Sequence, residues 1–373
     1  NFSKQKCLQK AENKIKLQVH NLHMKVEKSI LLTGWGYPPE IEGGLDIHVH
    51  HLFQELKKKG LDVKLALPEE NAPEREDIVS VETGDGDMTW KARKMSAEVA
   101  KKAQDFDIIH TNDWFGAEAG YKASKHSETT WISTIHSLAS SRTHSGSEKI
   151  EKLEKVATEE PDKLVAVSEG LKQDLERKFS GEASVIYNGF SQPSSTGKDV
   201  KEELGIDEDM IFFVGRHAEQ KGIEHLLYGF KKFLENGNEA SLVIGGDGHM
   251  RRPLENFTEL LGIDEKVYFT GFIPSKELGD YYREAEAFVS PSINEPFGLT
   301  ITEALESGTQ VLATQSGVNE LIQTEAVTEI RPESGSIAQG LENAVEKDLM
   351  PEYESRSWSK MAEEFVELYR EVN

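Results

Sequence analysis

Two series of short apolar runs, each run followed by a stretch with helical periodicity, fill most of the chain from Ser29 onward. The first series reads SILLT, LDVKLAL, DIIHT, WISTIH, KLVAVS and ASVIY, and the second reads IFFVGR, SLVIGG, VYFTGF, AFVSPS and QVLAT. Strands this short and this uniformly apolar are buried on both faces, as in a parallel sheet covered by helices. Leu45 to Lys59 and Thr89 to Ala103 supply helical spacing between the early runs. Strand, helix, strand repeated in two series predicts an α/β protein with two doubly wound parallel sheets.

The series are separated by FSQPSSTGKDV, where Pro, Ser and Gly cluster without periodicity after the turn dipeptide Asn188-Gly189. This places a first domain over residues 24–190, a linker over 191–207 and a second domain over 208–350. A chain of 373 residues is too long for one core, which agrees with two domains. In the remainder, 351–373, Trp358, Met361, Phe365 and Leu368 predict a helix over Ser355 to Arg370. Before Met24, where MKVEKSILLTGWG reads as a domain opening, Leu8, Ala11, Ile15, Val19 and Leu22 predict an added amphipathic helix over an N-terminal extension of residues 1–23, with no function assigned to it.

Several function classes are disfavoured. With 43 basic and 66 acidic residues the net charge is -23, a field that repels phosphate backbones and anionic bilayers, so no nucleic-acid partner is expected. High-salt adaptation and plain solubility account for the acidic surplus about equally. No window approaches a membrane span, and the opening residues lack the apolar core of a secretory signal. One cysteine, Cys7, leaves no internal disulfide and no multi-cysteine zinc site, so a cytoplasmic location is expected.

Ligands of doubly wound sheets bind beyond the carboxyl ends of the strands, so candidates are sought in the loops that follow them. In GWGYPPEIEGG, Gly43 and Gly44 precede a helix and would let its amides approach a diphosphate, although a plain glycine turn is an equal reading. HTNDW and STIHS bring His110, Asp113, Trp114 and His136 to strand ends, where carboxylate, imidazole and indole suit sugar hydroxyls. Each of these taken singly also reads as a satisfied structural residue. Arg216 and Lys221, five residues apart, offer two cations to a leaving diphosphate; a surface pair is the alternative. In EPFGLTITEALESG, Glu295 precedes a helix that Gly298 opens, Glu303 falls one and a half turns into it, and the amides of Gly298, Leu299 and Thr300 point toward bound phosphate. The triplets Asp85 to Asp87 and Asp105 to Asp107 resemble metal-binding pairs but read as a turn and a helix end, and no metal site is expected.

The stretch EPFGLTITEALESGTQVLATQSGVNELI, with GRHAEQKG before it, closely resembles the donor domain of the retaining glycosyltransferases of family 4 and the related glycogen and starch synthases, from about Lys25 to the end of the chain. The resemblance implies the glycosyltransferase-B fold, two Rossmann-like domains across a cleft with a last helix returning to the first. It implies a hexosyltransferase that takes an ADP-, UDP- or GDP-linked sugar, passes it to a carbohydrate or glycolipid acceptor, and requires no metal or other cofactor. By position, Glu295 would contact the donor sugar, Glu303 the ribose, and Arg216 and Lys221 the leaving diphosphate. Phe297 falls in the same donor-binding stretch as Gly298. Gly43 and Gly44 look like the glycine loop under the phosphates, His136 like the histidine on the transferred sugar, and Gly246 belongs to IGGDGH, which resembles the glycine turn under the base. Asp113 is similar to the aspartate of the HDW segment of glycogen synthases, but Asn112 stands where that pattern has histidine, which weakens the glucan-synthase subtype. A glycoside phosphorylase, a nucleotide-sugar epimerase and a non-catalytic binding subunit are the rival readings on the same fold.

Overall fold

The computed structural model describes residues 28–39, 41, 43–139, 148–347 and 349–372, so the helix expected over Leu8 to Leu22 and the domain opening at Met24 lie outside the described residues. The first sheet has seven parallel strands in the order β3-β2-β1-β4-β5-β6-β7. They are β1 Ser29–Thr33, β2 Asp62–Pro68, β3 Ile78–Val81, β4 Ile108–Asn112, β5 Thr130–Ile135, β6 Lys163–Ala166 and β7 Ala183–Val185. The second has six, in the order β10-β9-β8-β11-β12-β13: β8 Met210–Val214, β9 Ser241–Gly245, β10 Val267–Gly271, β11 Ala287–Ser290, β12 Val311–Ala313 and β13 Val327–Glu329. The expected pair of doubly wound sheets is present. In each, chain order reverses at one place, between β1 and β4 and between β8 and β11, and those switch points open crevices where ligands bind.

Helices α1 Gly44–Lys58, α2 Met88–Ala103, α3 Ala117–His126, α4 Glu148–Glu159 and α5 Glu169–Lys178 accompany the first sheet. With the second run α6 Val200–Leu204, α7 Ile223–Glu235, α8 Arg251–Leu261, α9 Leu278–Glu284, α10 Leu299–Glu306, α11 Gly317–Leu321 and α12 Ser334–Glu346. Their sequences explain their faces and ends. In α1, Val49, Leu52, Phe53 and Leu56 recur on one side and are buried. The Asp87, Ser168 and Asp199 side chains accept amide hydrogens at the starts of α2, α5 and α6, while Gly205 and Gly262 end α6 and α8 in the left-handed conformation. None of the described helices is long and apolar enough to cross a membrane.

The last helix, α13 Trp358–Glu371, returns to the first domain and buries Met361, Phe365, Leu368 and Tyr369 beside Ile30, Leu32 and Leu52. Where the chain crosses back, the Phe190 amide donates to the Arg356 carbonyl at 2.6 Å, and the Arg356 guanidinium donates to the Tyr187 carbonyl at 3.2 Å. Gly189 is required there, because a Cβ would stand 2.4 Å from the Trp358 nitrogen.

The stretch read as a linker is strapped down on the second domain. Asp280, buried on α9, accepts the Ser195 hydroxyl at 2.5 Å, the Thr196 amide at 2.9 Å, the Thr196 hydroxyl at 2.8 Å and the Gly197 amide at 2.9 Å. Burial pushes the Asp280 carboxyl up, but these donors outweigh it and hold the group well below the usual range. Helix α6 also falls inside the expected linker.

Candidate active site

The second-domain wall is built from loops that only glycine lets meet. Gly222, at φ 64°, follows the turn Glu219–Lys221, and a Cβ on it would lie 2.2 Å from the Pro291 carbonyl oxygen. The Ile293 amide donates to the Gln220 carbonyl at 2.8 Å, locking the loop after β8 to the loop after β11. Lys221 Nζ thereby sits 2.7 Å from Glu295 Oε2, which also accepts the Ser292 hydroxyl at 3.1 Å. Lys221 and Glu295 meet directly, while Arg216 lies exposed on the loop that leaves β8. The turn Ile244 to His249 presses on the same loop: a Cβ at Gly246 would stand 2.0 Å from the Gly215 carbonyl oxygen, and one at Gly248 2.4 Å from that of His217.

Gly298, at φ 101°, opens α10, and no side chain caps it. Phe297 is only 4 % exposed, with its ring 6.4 Å from that of Phe190, so it fixes the loop rather than presenting a face to a ligand. Glu303 is half-buried in α10 and accepts the Tyr282 hydroxyl at 3.0 Å. Crowding by protein pushes its carboxyl up to about 7, partly opposed by that hydrogen bond.

Across from α10, Gly43 precedes α1 in extended conformation, again with no side-chain cap. A Cβ on Gly44 would lie 3.2 Å from Leu299 Cδ1, so the two uncapped helix starts face each other from different domains. Their amide ends carry partial positive charge, which is suited to a diphosphate between them. Asp46, in the first turn of α1, accepts the Gly36 amide at 2.8 Å and ties down the loop after β1.

Asp113 takes φ 51°, the one non-glycine residue with positive φ among the described residues. Its Oδ1 accepts the His136 amide at 2.7 Å, so Asp113 positions the backbone of His136 from a buried site. Asn112 donates through Nδ2 to the Thr33 carbonyl at 2.9 Å, which turns its Oδ1 toward His136 Nε2, 2.9 Å away. His136 therefore carries its hydrogen on Nε2 when neutral. The residue that departs from the glycogen-synthase pattern thus orients the histidine expected to touch the sugar. His48 meets the His136 ring edge-on at 4.5 Å between centroids and pairs through Nδ1 with Asn188 Oδ1 at 2.7 Å. Burial lowers the His48 pKa well below the ordinary value, so the ring is neutral. Sequence reading missed His48, although its place one turn after Gly44 on the same helix would have found it.

Two expectations need correction. His110 is wholly buried, paired at 2.7 Å with the Tyr369 hydroxyl of α13 and at 2.7 Å with the Thr134 hydroxyl, and burial lowers its pKa to about 3. Trp114 is 6 % exposed and packs with Trp35, Ala92 and Phe115, so it offers no open face to a sugar. Strand β4 is covered on both faces, and polar or aromatic residues at its end fall inside the layers as readily as in the cleft. The acidic triplets have structural work: Asp87 caps α2, and Asp107 accepts the Ser29 amide at 2.7 Å.

Comparison with known proteins adds an independent line. Residues 197–364 match the model of glycosyl transferases group 1, and residues 42–191 match that of glycosyltransferase family 4. An uncharacterised glycosyltransferase of Methanocaldococcus jannaschii is 32% identical, over 91% of this chain and 97% of that protein. Among solved structures, sucrose-phosphate synthase from Thermosynechococcus elongatus superposes with TM-score 0.74 at 22% identity, covering 92% of this chain and 98% of the other. Anabaena HepE in complex with UDP and glucose also gives 0.74, at 17% identity, covering 92% and 100%. At those identities the two structures show the shared fold. With both halves matched by family models and a relative aligned over nearly its whole length, the chain belongs to the group 1 glycosyltransferases, enzymes that transfer sugars.

Proposed function

We propose that the protein is a retaining hexosyltransferase that uses a nucleotide-diphosphate sugar, without a metal ion, and transfers the sugar to a hydroxyl of a carbohydrate or glycolipid. The observation that carries this reading is the facing of the α1 and α10 starts at Gly44 and Leu299, with Lys221 and Glu295 paired beside them. Anabaena HepE, with the same fold, is described with UDP and glucose bound, which supports a nucleotide sugar here as well.

In this reading the diphosphate lies between amides of Gly43 and Gly44 on one side and of Gly298, Leu299 and Thr300 on the other, under the turn that contains Gly246. Glu303 accepts the ribose hydroxyls, Glu295 and His136 hold the transferred sugar, and Asp113 and Asn112 hold His136 in place. As the bond from C1 to the diphosphate oxygen breaks, positive charge grows on the sugar ring and negative charge on the departing phosphate. Arg216 and Lys221 stabilise the latter, in the role a divalent ion would otherwise fill. The acceptor oxygen forms its bond to C1 on the face the phosphate leaves, and its proton passes to a departing phosphate oxygen, so the configuration at C1 is kept.

Replacing Lys221 or Arg216 by Ala is expected to lower turnover by roughly 10²- to 10³-fold, the scale of one preorganised charge contact in a transition state. A panel of ADP-, UDP- and GDP-linked sugars, screened for thermal stabilisation and slow hydrolysis, identifies the donor on which to measure this. Near wild-type turnover in both variants would remove the leaving-group assignment. An inverted product configuration by NMR would remove retention, and activity abolished by EDTA and restored by a divalent ion would remove metal independence.

A further inference from the structure

The first turn of α5 leaves the amides of Glu169, Gly170 and Leu171 without intrahelical acceptors, and its own residues satisfy only one of them. Leu171 N donates to the Ser168 hydroxyl at 3.1 Å, while Lys172 N makes the first ordinary helical bond, to the Ser168 carbonyl at 3.0 Å. The other two cross to the second domain: Glu169 N donates to Glu320 Oε2 at 2.8 Å and Gly170 N to Glu320 Oε1 at 2.8 Å. A carboxylate on α11 therefore completes the cap of a first-domain helix, where its charge also meets the positive end of the helix. Burial, and after it the Glu320 carboxylate, holds the Tyr187 phenol, next to the crossing point of the chain, above its ordinary pKa.

The same short helix is wired to the donor loop. Ser316, which caps α11, forms a bridge with Glu295, and the Val318 amide donates to the Phe297 carbonyl at 3.0 Å. Gly317 permits the close approach, since a Cβ there would lie 2.7 Å from Ser168 Cβ and 2.7 Å from the Pro296 carbonyl oxygen. Between them, Glu320 grips the first domain while the start of its helix holds Glu295 and the loop leading into Gly298.

We infer that Glu320 is a positioning residue: a clasp between α11 and the α5 amides that favours the closed arrangement of the two domains, in which Glu295 and the α10 start face Gly44. Glu320 and its two amide partners are solvent-exposed, so the clasp is weak enough to open and close during turnover. Its contribution to catalysis rests on the donor-transfer reading above; its contribution to closure does not. When a binding-competent state loses population, apparent affinity falls by the same factor. Removing the clasp therefore raises the donor KM and leaves kcat at saturation nearly unchanged.

The test labels the full chain with a dye pair at Tyr121→Cys and Leu260→Cys in a Cys7→Ser background, and measures inter-dye distance without ligand. In this background, Glu320→Ala is expected to lower the closed-to-open ratio by roughly five-fold, the scale of charge-assisted hydrogen bonds at an exposed helix start. Glu320→Gln, which keeps one acceptor oxygen but no charge, is expected to fall between Ala and wild type. With the donor found by the nucleotide-sugar panel, KM rises by about the factor read from the distances. A well-folded Glu320→Ala protein with an unchanged distance distribution overturns the clasp, as does a fall in kcat at constant KM. If no nucleotide sugar binds at all, the donor reading fails while the distance measurement still decides the clasp.

Discussion

At Glu303 a single burial sets a pH dependence. Its carboxyl, pushed up to about 7 by surrounding protein, changes charge within the working range of most enzymes. Ribose hydroxyls donate more strongly to the ionised group, so donor binding is expected to tighten by roughly ten-fold between pH 6 and pH 8, as the ionised fraction rises from about a tenth to about nine tenths. The intact nucleotide sugar is the right probe in calorimetry, because its diphosphate diester does not titrate there. Glu303→Gln is expected to flatten the profile, and a wild-type profile that is already flat would refute the ribose contact. The stability sign is the reverse: a carboxyl raised in the folded state favours folding below its unfolded value, and that contribution is lost as pH rises through about 7. That Lys221 and Glu295 lie in loops opening on one edge was legible, because both follow strands of one parallel sheet, but their direct pairing was not, since the sequence reading set Lys221 beside Arg216. The inward turn of His110 and Trp114 was not, since a position at the end of a strand buried on both faces does not reveal which way the side chain goes. Nor did the sequence disclose the positive φ by which Asp113 reaches the His136 amide.

Secondary-structure elements were read best where an apolar run marks them, at sheet edges as well as inside: the edge strands β7 and β10 were read from ASVIY and VYFTGF. Strands β3, IVSV, and β13, VTE, went unread; both are short edge strands, and β13 exposes all three of its residues at least in part. The linker's Ser, Thr and Gly residues have no periodicity, yet their amides and hydroxyls converge on Asp280. Asp280→Ala would leave those donors without their acceptor, a loss expected to lower stability by about 2 to 4 kcal/mol in denaturant titration. The freed strap is also expected to be cut faster by trypsin at Lys198, and an unchanged cleavage rate there would show that the strap is held by other contacts.

For the whole molecule, the question is whether two sheets with separate strand orders behave as one cooperative unit. One buried cluster joins them: Ile135, Leu164 and Leu171 of the first domain continue through Phe190 and Phe297 to Phe212, Phe288 and Val311 of the second. Helix α13 closes the loop in the other direction, starting at Trp358 against Gly189 and ending on the core of the first sheet. The five tryptophans make this testable without labels. Trp35, Trp90, Trp114 and Trp131 lie in the first domain and Trp358 packs onto it, so intrinsic fluorescence reports that half alone. Far-UV circular dichroism reports the helices of both. A shared apolar cluster makes loss of either half expose surface on the other, so urea unfolding is expected to give coincident midpoints by the two probes. Because the proposed donor site takes helix starts from both domains, saturating nucleotide sugar is expected to move both midpoints together, by about 3 kcal/mol at a hundredfold excess over Kd. A circular dichroism transition that separates from the fluorescence transition would mean that the cluster between the sheets is too weak to couple them. Ligand stabilisation confined to the non-fluorescent half would place the bound donor on the second domain alone.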